Sequence, residues 1–146
     1  MFIYQGNEKT KRRNMKRKRL KIFTASAVVL SAVLMSSMPA DKAITRDGDT
    51  VVVNTQVIGK QVKGFRGATP VKIFIKKNKV VKVESLKNQE TPQYFRRAAT
   101  LLKKYEGVSV SKAQKLKVDA VSGATFTSNA LKKNVELGLK YYKEHK

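Results

Sequence analysis

Four hydroxyl side chains, Ser122, Thr125, Thr127 and Ser128, fall within seven residues near the end of this 146-residue chain. Gly123 and Ala124 stand among them. Gly123 permits a positive φ and Ala124 adds almost no bulk, so a ligand or another backbone can approach the chain closely there. The full stretch is Asp119-Ala120-Val121-Ser122-Gly123-Ala124-Thr125, followed by Phe126, Thr127, Ser128 and Asn129 and then a helical pattern. Thr127 or Ser128 suits the N-cap of that helix, because a hydroxyl oxygen there accepts from unpaired backbone amides. A helix N-terminus beside small residues is also a natural place for an anion. Spacing alone is equally consistent with a capped helix entered through a small-residue turn. Asp119 has its own local option, an Asx-type hydrogen bond that closes the turn.

Composition removes most other chemistries. There is no cysteine, so a disulfide framework, a thiolate metal site and a cysteine nucleophile are excluded. The one histidine, His145, stands next to the last residue, which argues against a histidine-dependent triad or a multi-histidine metal site. Gly59, Gly64 and Gly67 form a glycine-rich stretch, but it lacks the Gly-Lys-Ser/Thr ending that a phosphate-binding P-loop needs. It reads either as a loop between strands or as one edge of a ligand pocket, with Phe65 and Arg66 as the residues of interest. No acid–base pair or nucleophile–base constellation is visible, which points away from an enzyme with its own substrate site.

The pattern Asp119-x-x-Ser122-Gly123-Ala124-Thr125 resembles the flavinylation sequence of the FMN-binding domain family, Asp-x-x-(Ser/Thr)-Gly-Ala-Thr. The resemblance extends more loosely from about Asp47 to Tyr142 and takes in residues 64–67, Pro70, Val71 and Glu90-Thr91-Pro92. Such domains occur in subunits of sodium-translocating NADH:quinone reductases, in related membrane complexes and in small extracytoplasmic electron carriers. The resemblance implies that Thr125 carries FMN through a phosphoester bond, installed by a flavin transferase from FAD with a divalent metal ion. It implies that Asp119, Ser122, Gly123 and Ala124 are recognition and positioning residues. Thr127 and Ser128 would then place helix amides near the flavin phosphate. Electron transfer with a membrane or other extracytoplasmic redox partner follows as the expected role.

The chain carries a net charge of +22, of which residues 1–40 supply +8 and residues 41–146 supply +14. A basic domain raises the possibility of nucleic acid. The lysines are spread over all predicted elements, however, with no basic-plus-aromatic motif, so nucleic acid is not expected as a partner. The plainest reading of the charge is a solvated lysine-rich surface, and attraction to an anionic membrane surface or to an acidic redox partner is the functional alternative. Residues 15–21 are strongly basic and residues 22–38 carry no charge, and Met38-Pro39-Ala40 offers a possible cleavage site. This is the layout of an export signal, at the lower length limit of a membrane anchor. Either way the rest of the chain is expected outside the cytoplasmic membrane. Residues 1–40 are thus read as tail plus signal or anchor, and residues 41–146 as one domain.

The elements that must position the hydroxyl cluster are α+β. Residues 50–58 are β-branched and predict a strand, after a polar linker over 41–49. Val71, Ile73 and Ile75 alternate with Lys72, Phe74 and Lys76, and Asn78 turns the chain into a second strand over 80–84. Thr91 as N-cap and Pro92 at the first helical position predict a helix to Tyr105, stopped by Gly107, with Phe95, Ala98, Ala99, Leu102 and Tyr105 as its buried stripe. Whether Thr91 also faces a ligand is open. Residues 108–117 predict a polar connector with a possible short strand, and residues 116–121 a strand that delivers the motif. A final helix over 128–142 presents Leu131, Val135, Gly138 or Leu139, and Tyr142 on one face. The sum is a small antiparallel sheet packed with two main helices. The function expected is an exported electron carrier with covalent FMN. The alternatives are a non-covalent FMN-binding module and a cofactor-free polyanion- or membrane-surface-binding domain.

Overall fold

The computed structural model describes residues 42–146; the expected signal or anchor segment over 1–40 lies outside the described residues. Four antiparallel strands in the order β1-β2-β3-β4 form one sheet: β1 Ile44–Asp47, β2 Thr50–Asn54, β3 Val71–Lys76 and β4 Lys79–Ser85. The alternation in β3 is obeyed. Val71, Ile73 and Ile75 are buried, whereas Lys72 and Phe74 are half-buried and Lys76 exposed on the other face. The β3–β4 turn places both Lys77 and Asn78 at positive φ, 49° and 60°, the type I′ pattern whose twist matches the flanking strands.

Two expectations about the start of the domain are corrected. Residues 44–47, read as linker, form the edge strand β1, because the two-residue turn Gly48-Asp49 with Gly48 at φ 54° folds them back onto β2. The predicted strand over 50–58 stops at Asn54. There the Asn54 side-chain oxygen accepts from the Gln56 amide at 2.9 Å and starts the short helix α1, Thr55–Ile58. Thr55 then extends the ladder with its hydroxyl, which donates to the Val71 carbonyl at 3.1 Å and accepts from the Val71 amide at 2.8 Å. Here a local cap, which satisfies the Gln56 amide, outweighs the β propensity of the run.

The helices cover one face of the sheet. Helix α2 spans Pro92–Ala99 with Pro92 in its first turn, and a 3-10 segment continues it over Thr100–Tyr105 before Gly107, at φ 77°, ends it. Residues 108–117 hold helix α3, Val110–Lys115, instead of a strand. Residues 116–121 are irregular, so no strand delivers the motif. Helix α4 runs from Thr125 to His145, beginning three residues earlier than its apolar pattern suggests. Its buried face, Leu131, Val135, Leu139 and Tyr142, packs with Leu101, Leu102 and Tyr105 against Val53, Ile73, Ile75 and Val80. Among the described residues no helix is long and apolar enough to cross a membrane.

The glycines differ in what surrounds them. A Cβ on Gly59 would lie 2.2 Å from the Asn134 side-chain oxygen and 2.8 Å from the Thr55 carbonyl, whereas one on Gly67 would meet only ordinary contact at 3.6 Å. Asn134 cannot yield freely, because its Nδ2 donates to the carbonyls of Thr69 at 2.9 Å and Ala130 at 3.2 Å inside the core. Gly59→Ala is therefore expected to destabilise the domain by about 1–3 kcal/mol and Gly67→Ala by well under about 1 kcal/mol in denaturant titration.

Candidate functional site

Ala124 accepts the first backbone bond of α4, from the Ser128 amide at 2.9 Å, and serves as its N-cap with no side-chain cap bond. This corrects the expectation that Thr127 or Ser128 caps the helix. Both lie inside the first turn with other partners. Ser128 Oγ accepts from the Val121 amide at 3.0 Å, tying the irregular approach segment to the helix. Thr127 Oγ1 donates to the Glu90 carboxylate. The turn itself closes between the Ala124 amide and the Val121 carbonyl at 3.0 Å, with Gly123 at φ 76° in its third position. Any side chain at Gly123 would be strained by that φ, and the Arg97 guanidinium lies over it, 3.6 Å from where a Cβ would stand. Arg97 Nη2 also donates to the Ser122 carbonyl at 3.0 Å, so α2 holds the turn from outside.

Thr125 is the first residue of α4 and is exposed. Its hydroxyl makes no hydrogen bond to the described residues. It lines a cavity of about 490 Å³ together with Gly123, Ala124, Phe126 and Thr127 on its own side and Phe65, Glu90, Thr91 and Tyr94 on the other. Three aromatic rings at this cavity stay open to water: Phe65 at 72%, Phe126 at 69% and Tyr94 at 46% exposure. Phe65 and Phe126 face each other obliquely, with centroids 6.2 Å apart. Apolar rings left in solvent around a concave surface mark a ligand site rather than a core. The volume falls in the range of roughly 300–1,000 Å³ typical of small-molecule pockets. The first-turn amides of α4 open beside Thr125 and suit an anionic group. Flat aromatic walls, an anion-favouring helix end and a free hydroxyl together fit a planar aromatic ligand that carries a phosphate.

Of the sequence candidates, the fold brings Gly123, Ala124, Thr125 and Thr127 onto this cavity, joined by Phe65 and by Thr91, whose orientation the sequence left open. Ser122 contributes its carbonyl to Arg97, and Ser128 is fully buried beneath the turn. Asp119 is exposed, does not line the cavity and makes no hydrogen bond to the described residues, so the Asx closure is not formed. Among the described residues no group of three acidic, His or Cys side chains could hold a metal ion.

Sequence reasoning passed over Glu90 as a structural group. Only 7% exposed, its carboxylate accepts from the amides of Arg66 at 2.6 Å and Gly67 at 3.2 Å and from the Thr127 hydroxyl. One side chain thus ties the loop bearing Phe65 to the helix bearing Thr125. Burial acts to raise the Glu90 pKa. The Thr127 hydroxyl and the amides of Arg66, Phe65 and Gly67 favour the ionised form more strongly, and the net shift is downward from the ordinary 4.5. Tyr94 and Arg97 were missed too; both lie on α2, where spacing reports the buried stripe and says nothing about the outward face.

A folded-state pKa below the unfolded one means that Glu90 stabilises fully above the unfolded value, and that this contribution is lost as pH falls through the folded value. Unfolding free energy is expected to drop on acidification below about pH 4.3. Glu90→Gln is expected to cost about 1–3 kcal/mol at neutral pH and to flatten the acid limb of that profile in denaturant titrations.

Comparison with known families finds that the model described as FMN-binding domain matches residues 64–140. A search of curated proteins finds no match. The matched span contains both walls of the cavity, from the Phe65 loop to the first turns of α4.

Proposed function

The chain belongs to the FMN-binding domain family, and from that membership we propose that it is an extracytoplasmic electron carrier with FMN joined through a phosphoester bond to Thr125. The observation that carries the proposal is the position of the Thr125 hydroxyl: exposed, unbonded and on the wall of the aromatic cavity. A flavin transferase would act on it with FAD as substrate. In that step Thr125 Oγ1 forms a new P–O bond to the FMN phosphorus, the bond to AMP breaks, and the hydroxyl proton passes to a base of the transferase. A divalent metal ion would be held by that enzyme. The products are AMP and the FMN ester of Thr125.

This chain's own residues then have three tasks. Gly123 and Ala124 keep the approach to Thr125 clear of side chains. The unpaired amides of the first turn of α4 and the positive end of its dipole favour the negative charge that the ester retains. Phe65, Tyr94 and Phe126 offer apolar faces to a flat ring and reduce their own exposure by covering it. FMN, once bound, supplies the electron-accepting and electron-donating chemistry. Asp119 and Ser122, exposed beside the turn, are proposed as contacts for the transferase.

Localisation outside the cytoplasm is part of the same proposal. It rests on the basic and apolar layout of residues 15–40, which suits an export signal or anchor. In that compartment a freely dissociating cofactor would be lost by dilution, and an ester bond prevents the loss. The partner would be a membrane-bound or extracytoplasmic redox protein, and the +14 of residues 41–146 favours an acidic partner face or an anionic membrane surface.

Co-expression with a flavin transferase and export is expected to give a protein whose intact mass rises by FMN less water and whose fluorescence survives denaturing electrophoresis. Thr125→Ala is expected to lose both. Flavin that washes out on unfolding, with unmodified mass, would instead establish non-covalent binding and overturn the ester.

A further inference from the structure

The Glu90 carboxylate clamps two walls of the cavity, and it is also a charge. Its hydrogen-bond partners, the amides of Arg66 and Gly67 and the hydroxyl of Thr127, are all neutral. No Lys or Arg nitrogen lies within ion-pairing distance of it among the described residues; the ion pairs there join Lys76 to Asp49, Lys82 to Glu84 and Lys140 to Glu144, all on the surface. The cavity therefore has a buried negative wall inside a domain whose surface is strongly positive.

We propose that Glu90 sets the reduction potential of the bound flavin, holding it below the value that the lysine-rich surface alone would impose. The proposal rests on flavin occupying the cavity of Thr125, as proposed above. Reduction of the ring takes up two electrons from an external donor and one proton from solvent, which leaves one added negative charge on the ring. The added electron density meets the carboxylate through protein, where charge interactions are stronger than across water. The surface lysines act in the opposite sense, but they stand in solvent, where salt screens them over about 8–10 Å. The buried charge keeps its effect in salt and the surface charges lose theirs.

The test is the flavin midpoint potential of the loaded chain, titrated with dithionite against reference dyes at low and high salt. Glu90→Gln is expected to shift the reduction equilibrium upward at least tenfold, which is about 30 mV for a two-electron couple, and to keep that shift in high salt. Thr127→Val removes one hydrogen bond and leaves the carboxylate in place; it is expected to shift the equilibrium less than threefold. Thr91→Lys puts an ammonium on the cavity wall at an N-cap that makes no side-chain bond, and it is expected to raise the potential with the clamp intact. An unchanged potential in Glu90→Gln, an equal shift in Thr127→Val, or a shift abolished by salt would overturn the proposal. If Glu90→Gln fails to hold flavin, Thr91→Lys decides: a raised potential supports the charge role, and an unchanged one overturns it. A wild-type chain that takes up no flavin would instead refute the underlying function.

Discussion

A carboxylate taken out of water must find donors, and Glu90 finds them on stretches that are remote along the chain. The amides of Arg66 and Gly67 come from the loop before β3, the Thr127 hydroxyl from the first turn of α4, and Glu90 itself precedes α2. Separating any of these would strand a buried charge, which costs more than any single hydrogen bond contributes. The shape of the cavity follows from that condition. Phe65 stands one residue before the first amide that Glu90 holds, and Thr125 two residues before the hydroxyl. Gly64 belongs to the same device, since a Cβ there would lie 2.9 Å from the Glu90 oxygen.

The placement of α4 supplies the other half of the geometry. Asn134 carries the helix against the loop before β3 by donating to the Thr69 carbonyl, and Gly59 gives its side chain room. Further along, Gly138 lets the helix approach the sheet so closely that a Cβ would come within 2.5 Å of the Ile73 Cδ1. The helix is thus set by a polar contact near its middle and by a close apolar contact one turn farther on. Its first turn projects Thr125 beyond the edge of the core, into solvent.

These two arrangements separate rigidity from access. Thr127, Ser128 and Ala124 are buried, while Thr125 and Phe126 between them are exposed. The first turn is thus anchored through Thr127 and Ser128 while Thr125 and Phe126 stay open to solvent. Arg97 adds an outer brace through the Ser122 carbonyl and leaves the cavity face of the turn free. A site built this way can accept a bulky group without losing the contacts that define it.

Much of this was legible along the chain. The β3–β4 hairpin, the apolar faces of α2 and α4 and the small-residue turn before Thr125 all depend on neighbours within a few positions, and periodicity and residue type report such relations directly. The strand over 50–58 failed because Asn54, as a cap, redirected a β-branched run. The capping roles given to Thr127 and Ser128 failed because the Thr127 hydroxyl went to Glu90, 37 residues away, and the Ser128 hydroxyl to the Val121 amide just before the turn. Only the fold could bring Glu90 to Thr127 across 37 residues, or Asn134 to Thr69 across 65. In sequence Glu90 shows only as the residue before the Thr91-Pro92 helix start. Its burial is a property of what folds over it, and no local pattern encodes that.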